Sequence, residues 1–188
     1  MTAQVSDTIE HKDRVYDIIG VDGPDPFAPG EYGIKPTSWI TSCYRGHTNT
    51  YVVRDTHLVL EELRVSASQT GYPEINGRAP QEDKSAKGAS NTPGSGITLA
   101  TYVAIDLKLT FTGRLRIARG FIADRYVHQG FQSSHAFGEV IDLQFSDGLL
   151  VNEKDRSQEI GSTGEPPAFP AEREEERTAR VHSPEMDE

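Results

Sequence analysis

The chain has 188 residues, of which 35% are hydrophobic, and a formal net charge of −10; this allows one ordinary domain, with part of the chain adding nothing to a core. The acidic balance disfavours nucleic acid and anionic membrane as partners, because binding either polyanion relies on clustered Lys and Arg. One cysteine, Cys43, excludes an internal disulfide framework and a zinc ribbon.

Residues 1–12 read as a frayed start, polar and without the apolar stretch of a signal peptide, so a cytoplasmic address is expected. Residues 14–21, rich in β-branched and aromatic side chains, predict the first strand. Three prolines and two glycines in residues 22–30 then predict a stiff loop. Residues 39–44, 48–54 and 57–65 are runs of β-formers separated by Arg45-Gly46-His47 and by Asp55-Thr56, which predicts an antiparallel meander. Within the last run Leu58 and Leu60 share one face, Val59, Glu61 and Leu63 the other, so neither face reads as purely apolar.

Residues 66–97 hold five Gly, three Pro and five Ser without periodicity, and predict a long flexible insertion. Residues 99–111 read as one strand, with Ile105, Leu107, Leu109 and Phe111 alternating with polar neighbours. Residues 114–118 and 138–145 are further strands, Asp147-Gly148 is a tight-turn dipeptide, and residues 149–151 open the last strand. Residues 121–137 fit neither a clean helix nor a clean strand. From residue 152 the chain carries eleven Asp/Glu and five Lys/Arg, a net −6 of the total −10, and reads as a disordered acidic tail. No run approaches the roughly 18–20 apolar residues of a spanning helix.

Two segments carry a resemblance. Cys43-Tyr44-Arg45-Gly46-His47-Thr48-Asn49-Thr50-Tyr51-Val52-Val53-Arg54-Asp55 with Leu58 and Leu60, together with Phe111-Thr112-Gly113-Arg114-Leu115-Arg116-Ile117 and Tyr126-Val127-His128-Gln129-Gly130-Phe131, resembles a group of uncharacterised bacterial proteins. That group usually has an aromatic where His47 stands and a glycine where Asn49 stands, so the chain departs from the pattern there. The resemblance implies a fold with two related strand units; it implies no activity.

The densest set of recognition-prone side chains is Trp39, Tyr44, Arg45, His47, Asn49 and Tyr51. Aromatic rings and Arg combine a large contact area with polar tips, which suits a binding surface; equally, the aromatics could be core and Arg45-Gly46-His47 only a turn. His128 and His135, with Glu139 or Asp142, supply N and O ligands of the type a metal-dependent hydrolase needs, though not at the spacing of a compact metal motif. Cys43 with His47 or His128 is the one nucleophile–base pairing available, against the commoner outcome of a buried inert thiol. No phosphate-cradling Gly loop or calcium loop is present, and no cofactor is expected.

The expectation is a mainly β domain over residues 13–151, a small antiparallel sandwich or partly open barrel of roughly seven to nine strands. Its expected function is a non-enzymatic module that binds another protein, for instance an immunity-like or accessory factor. The alternatives are a small metal-dependent hydrolase using His128 and His135, and a structural oligomer subunit.

Overall fold

The computed structural model describes residues 3–38, 40–67, 71–83, 98–126, 128 and 130–163. The strands are β1 (Thr8–His11), β2 (Arg14–Asp22), β3 (His47–Arg54), β4 (His57–Ala67), β5 (Gln81–Asp83), β6 (Thr98–Tyr102), β7 (Leu107–Lys108), β8 (Gly113–Phe121), β9 (Phe137–Ser146) and β10 (Leu149–Asp155), followed by helix α1 (Ser157–Thr163). They form one mixed sheet in the order β10-β9-β8-β2-β1-β3-β4-β6-β5. The sheet curls back on itself where Leu149 of β10 pairs with His57 of β4, which makes a partly closed ring. Of the two expected architectures, the partly open barrel is the one adopted.

All pairings among the described strands are antiparallel except that of β1 with β3, in which Ile9 lies opposite Tyr51 and Glu10 opposite Val52. β1 lies in the stretch that reads as frayed. It is instead a central strand, with Ile9 fully buried. It joins β2 through Lys12 and Asp13, both at positive φ, a two-residue mirror-image turn made without the Gly or Asn that usually marks one.

The interior is filled from all sides by Ile9, Tyr51, Leu60, Leu115, Leu143 and Phe145 among others. The Pro-rich loop after β2 is part of this core, since Phe27 and Ile34 are buried on either side of a 3-10 turn at Pro29–Tyr32. No strand forms at the described residues 40–46, which are turns and coil; Gly46, at φ 70°, lies so close to the Thr37 backbone that a Cβ would approach it to 2.7 Å.

β4 explains its own mixed pattern. Thr50 pairs with Glu62 but Tyr51 pairs with Leu60, so Glu61 is an extra residue that reverses the alternation. Leu58 and Leu60 before it, and Leu63 and Val65 after it, therefore all reach the core. His47 accordingly pairs with Val65 rather than Arg64.

The expected single strand over residues 99–111 is broken. β6 and β7 flank residues 103–106, where Ala104 and Asp106 have positive φ. Ile105 turns into the core there, and its backbone N donates to Glu61 O at 3.0 Å, opposite the β4 bulge. The expected flexible insertion is likewise corrected at its described ends: Ser66 and Ala67 extend β4, β5 pairs with β6, and Ile75 is fully buried.

The acidic stretch is ordered further than its composition suggests. β10 runs to Asp155, whose carboxylate accepts the Ser157 backbone N–H at 2.8 Å at the start of α1. α1 then buries Ile160 against Ala118, Ala136, Phe137 and Val140 in a second, smaller cluster. The rest of the expected insertion and acidic tail, residues 68–70, 84–97 and 164–188, lies outside the described residues.

Candidate functional site

Arg45 and the residues around it converge on Asp7, which precedes β1. Arg45 Nη1 and Nη2 donate to the two Asp7 oxygens at 3.0 and 2.7 Å, a bidentate pair. Asn49 adds its backbone N–H at 2.9 Å and its side-chain amide at 3.4 Å. This ties together the starts of the parallel strands β1 and β3. Burial alone would lower the Arg45 pKa, but the charge and hydrogen bonds of Asp7 raise it above its ordinary value.

Arg45, Asn49 and Tyr51 are thus built into the fold rather than displayed, which corrects the expectation of a recognition surface made of them. Asn49 and Tyr51 are buried, and burial pushes the Tyr51 phenol well above its usual range. Tyr51 Oη and Asn49 Oδ1 make no hydrogen bond among the described residues. His47 Nδ1 lies 3.0 Å from Arg45 O, and burial followed by the Arg45 charge holds its pKa below the ordinary value. Tyr44 does face outward. Trp39 lies outside the described residues.

Tyr44 belongs to a different grouping. Segment 3–5 is laced to the 40–44 turns by Val5 N donating to Ser42 O at 2.8 Å, Gln4 Nε2 to Thr41 O at 2.9 Å and Tyr44 N to Gln4 Oε1 at 3.0 Å. Val5, Ile40 and Tyr44 are all outward-facing. On its other side the segment meets Gly130, where Gln4 N donates to Gly130 O at 2.9 Å. Two residues before Gly130, His128 meets the edge of Tyr126 at 4.7 Å between ring centroids, and Tyr126 meets Phe121 at 6.2 Å. Phe121 and Tyr126 are 46% and 43% exposed, Val5, Ile40 and Tyr44 between 40% and 48%. Large apolar side chains left outward in contiguous patches often mark interaction sites.

The residues of the metal reading are not brought together. Glu139 accepts from Tyr16 Oη at 2.9 Å and lies beside Arg119 at 3.6 Å and Arg14 at 3.7 Å. His135 sits in a 3-10 turn at Ser134–Ala136, while His128 packs on Tyr126. Among the described residues no group of three His, Cys, Asp or Glu side chains is placed to hold a metal ion, so His128, His135 and Glu139 form no such centre.

Cys43 is not activated either. Its Sγ donates to the His47 backbone oxygen at 3.4 Å, and burial raises its pKa despite the opposing Arg45 charge. Cys43 is expected to react with an aromatic disulfide reagent more slowly in the folded protein than in urea, since thiolate is the reactive form; equal rates would contradict the half-buried, hydrogen-bonded thiol.

A groove of about 580 Å³ at the other end of the β1–β3 pair is lined in part by Glu10, His11, Asp13 and Leu150. Its charges are extensively paired: Glu153 takes Lys12 at 2.7 Å and His11 at 3.1 Å, and Arg54 takes Glu61 and Asp106.

Asp7, Val5 and Phe121 are not singled out by pattern, and Tyr126 enters only through the resemblance; residues 5, 121 and 126 lie in irregular stretches or at a strand end, where no core face demands them. The chain matches no family model, no curated protein and no solved structure.

Proposed function

We propose that the protein is a non-enzymatic module that binds another protein, in the manner of an immunity-like or accessory factor, through the face formed by Val5, Ile40, Tyr44, Phe121 and Tyr126. The observation that carries this reading is that Val5, Ile40 and Tyr44 stay outward-facing where segment 3–5 is bonded to the 40–44 turns, alongside a second outward-facing pair, Phe121 and Tyr126, in edge contact with each other. Aromatic side chains dominate the energetics of protein interfaces because they bury much area at little entropic cost. The net charge of −10 favours a protein over a polyanion as the partner.

The test is capture from an extract of the native host, comparing wild type with a Tyr44→Ala/Tyr126→Ala variant. A specific partner is expected on the wild type and lost on the variant. Each exposed substitution should change folding stability by no more than about 0.5 kcal/mol, so loss of capture cannot be assigned to unfolding. A partner retained at full yield by the variant would overturn the face. A concentration-dependent dimer seen by sedimentation and lost in the variant would make the partner a second copy of this chain.

A further inference from the structure

The ring closes over a short seam, and the strand at that seam has an unpaired edge. β10 pairs with β4 at Leu149, and the backbone bonds there are Leu58 N to Gly148 O and Leu150 N to Thr56 O. β4 begins at His57, so β10 runs on past the β3–β4 turn to Asp155 with β9 alone beside it among the described residues. Backbone groups of an antiparallel strand point alternately to its two edges. Arg156 N donates to Val140 O, so Lys154 and Asn152, in step with it, bond β9 as well. Glu153 therefore turns its backbone N–H and C=O, and Asp155 its N–H, to the open edge. Such an edge is a template for a further strand.

The groove of about 580 Å³ adjoins this edge, since Leu150 and Glu153 of β10 line it together with Glu10, Asp13, Val52 and Val53. Glu153 is taken by Lys12 and His11, and Glu61 by Arg54. The carboxylates of Glu10 and Asp13, both at exposed positions, have no ion pair or hydrogen bond among the described residues. The groove is left with a negative surplus, which a cationic occupant complements. Val52, Val53 and Leu150 add apolar lining, so a segment that alternates basic and apolar residues suits it when extended.

A second copy of β10 suits the edge badly. Antiparallel pairing centred on Glu153 would set that carboxylate against its own copy, and like charges directly opposite destabilise a strand pair. Lys154 offers no relief, being drawn to Glu159 of α1 at 3.3 Å.

We propose that the open edge of β10 receives a basic, extended segment of another protein as an added strand. This surface shares no residue with the face formed by Val5, Ile40, Tyr44, Phe121 and Tyr126, and does not depend on it.

The experiment titrates 15N-labelled full-length protein with the peptide acetyl-Lys-Val-Lys-Val-Lys-amide and follows the backbone amides of residues 151–155 by NMR. Saturable shifts at Glu153 and Asp155 are expected, with a dissociation constant on the order of 0.1–1 mM for so short a strand. An analogue N-methylated at its three central residues keeps the charge but loses donors on both edges; it is expected to bind at least about tenfold more weakly. The acidic peptide acetyl-Glu-Val-Glu-Val-Glu-amide is expected to give no saturable shift. Glu10→Gln/Asp13→Asn is expected to weaken the basic peptide about tenfold. Asn tolerates the positive φ of Asp13, and the variant's urea midpoint should stay at the wild-type value.

No saturable shift on the wild type, or shifts confined to residues outside 151–155, would overturn the added strand. Equal affinity of the N-methylated analogue would reduce it to a charge contact. Equal binding of the acidic peptide, or full affinity in the Glu10→Gln/Asp13→Asn variant, would overturn the basic occupant. Shifts at the same amides on concentrating the protein without peptide would make the occupant a second copy. Tyr44→Ala/Tyr126→Ala is expected to bind the peptide as the wild type does, so this titration and the capture experiment fail independently.

Discussion

Asp142→Ala is expected to destabilise the protein by about 3–5 kcal/mol, the usual cost of removing one partner from a buried ion pair. Asp142 and Arg116 are 7% and 5% exposed and stand opposite one another on β9 and β8. Arg116 Nε and Nη2 donate to the two Asp142 oxygens at 2.7 and 2.9 Å, and Arg156 Nε adds a third bond at 2.9 Å. Arg156 Nη1 then donates to Glu159 of α1 at 2.7 Å, so the carboxylate also helps to hold the helix over the outer face of the sheet. Alanine would take the Asp142 carboxylate from the buried Arg116 guanidinium and leave Arg156 with Glu159. Urea unfolding measures the loss, and a change below about 1 kcal/mol would show the network to be dispensable.

The same group sets a pH dependence. Burial raises the Asp142 pKa, but the hydrogen bonds and charges of Arg116 and Arg156 outweigh it and leave the folded value below the ordinary one. The folded state therefore binds the proton less readily than the unfolded chain. Its stabilising contribution is fully present above the unfolded-state value of about 3.9 and is lost as pH falls through the depressed folded value. The wild type should lose stability across that acid window more steeply than Asp142→Ala, as read from urea midpoints measured at each pH.

Gly148→Ala is the second large effect, at about 2–5 kcal/mol, from a left-handed backbone and an enforced overlap acting together. Gly148 has φ 79°, and an added Cβ would fall within 1.9 Å of Leu109 O. The neighbouring atoms are those that close the ring. Gly148 N donates to Phe111 O, Leu58 N to Gly148 O and Leu150 N to Thr56 O, each at 2.8 Å. Relieving the overlap means parting this seam. Gly77→Ala is the control, since Gly77 has φ 71° with nothing within 4 Å of the added atom. It should cost only about 1–2 kcal/mol. Equal losses in calorimetry would mean that the seam yields without resistance.

Local chemistry made part of this fold readable. Asp55-Thr56 joins β3 to β4 and Asp147-Gly148 joins β9 to β10, both through paired positive φ values; Arg54 opposite His57 follows from the first turn without any tertiary information. Alternation from Leu115 to Ile117, and the run that became β9, likewise report a face that each strand carries alone. Where the same devices are made from other residues they stay hidden. Lys12-Asp13 turns the chain as well as an Asp-Gly pair would, and so β1 reads as a frayed end. Tyr44 is recognition-prone by residue type, but pattern does not link it to the outward-facing Val5, Phe121 and Tyr126, which lie in other stretches of the chain.

By itself, the sequence determined the β class, the main hairpins and the absence of a cysteine framework, because each depends on residue types or on residues within a few positions of one another. Only the tertiary structure decided that Glu61 is a bulge, that residues 103–106 break a strand to meet it, and that β1 lies parallel to β3. It alone decided that Arg45 faces Asp7 and that Arg116 faces Asp142. These pairings span 38 and 26 residues. Their partners are selected by ring closure and by the need to neutralise charge away from water, conditions that arise only after distant strands have met.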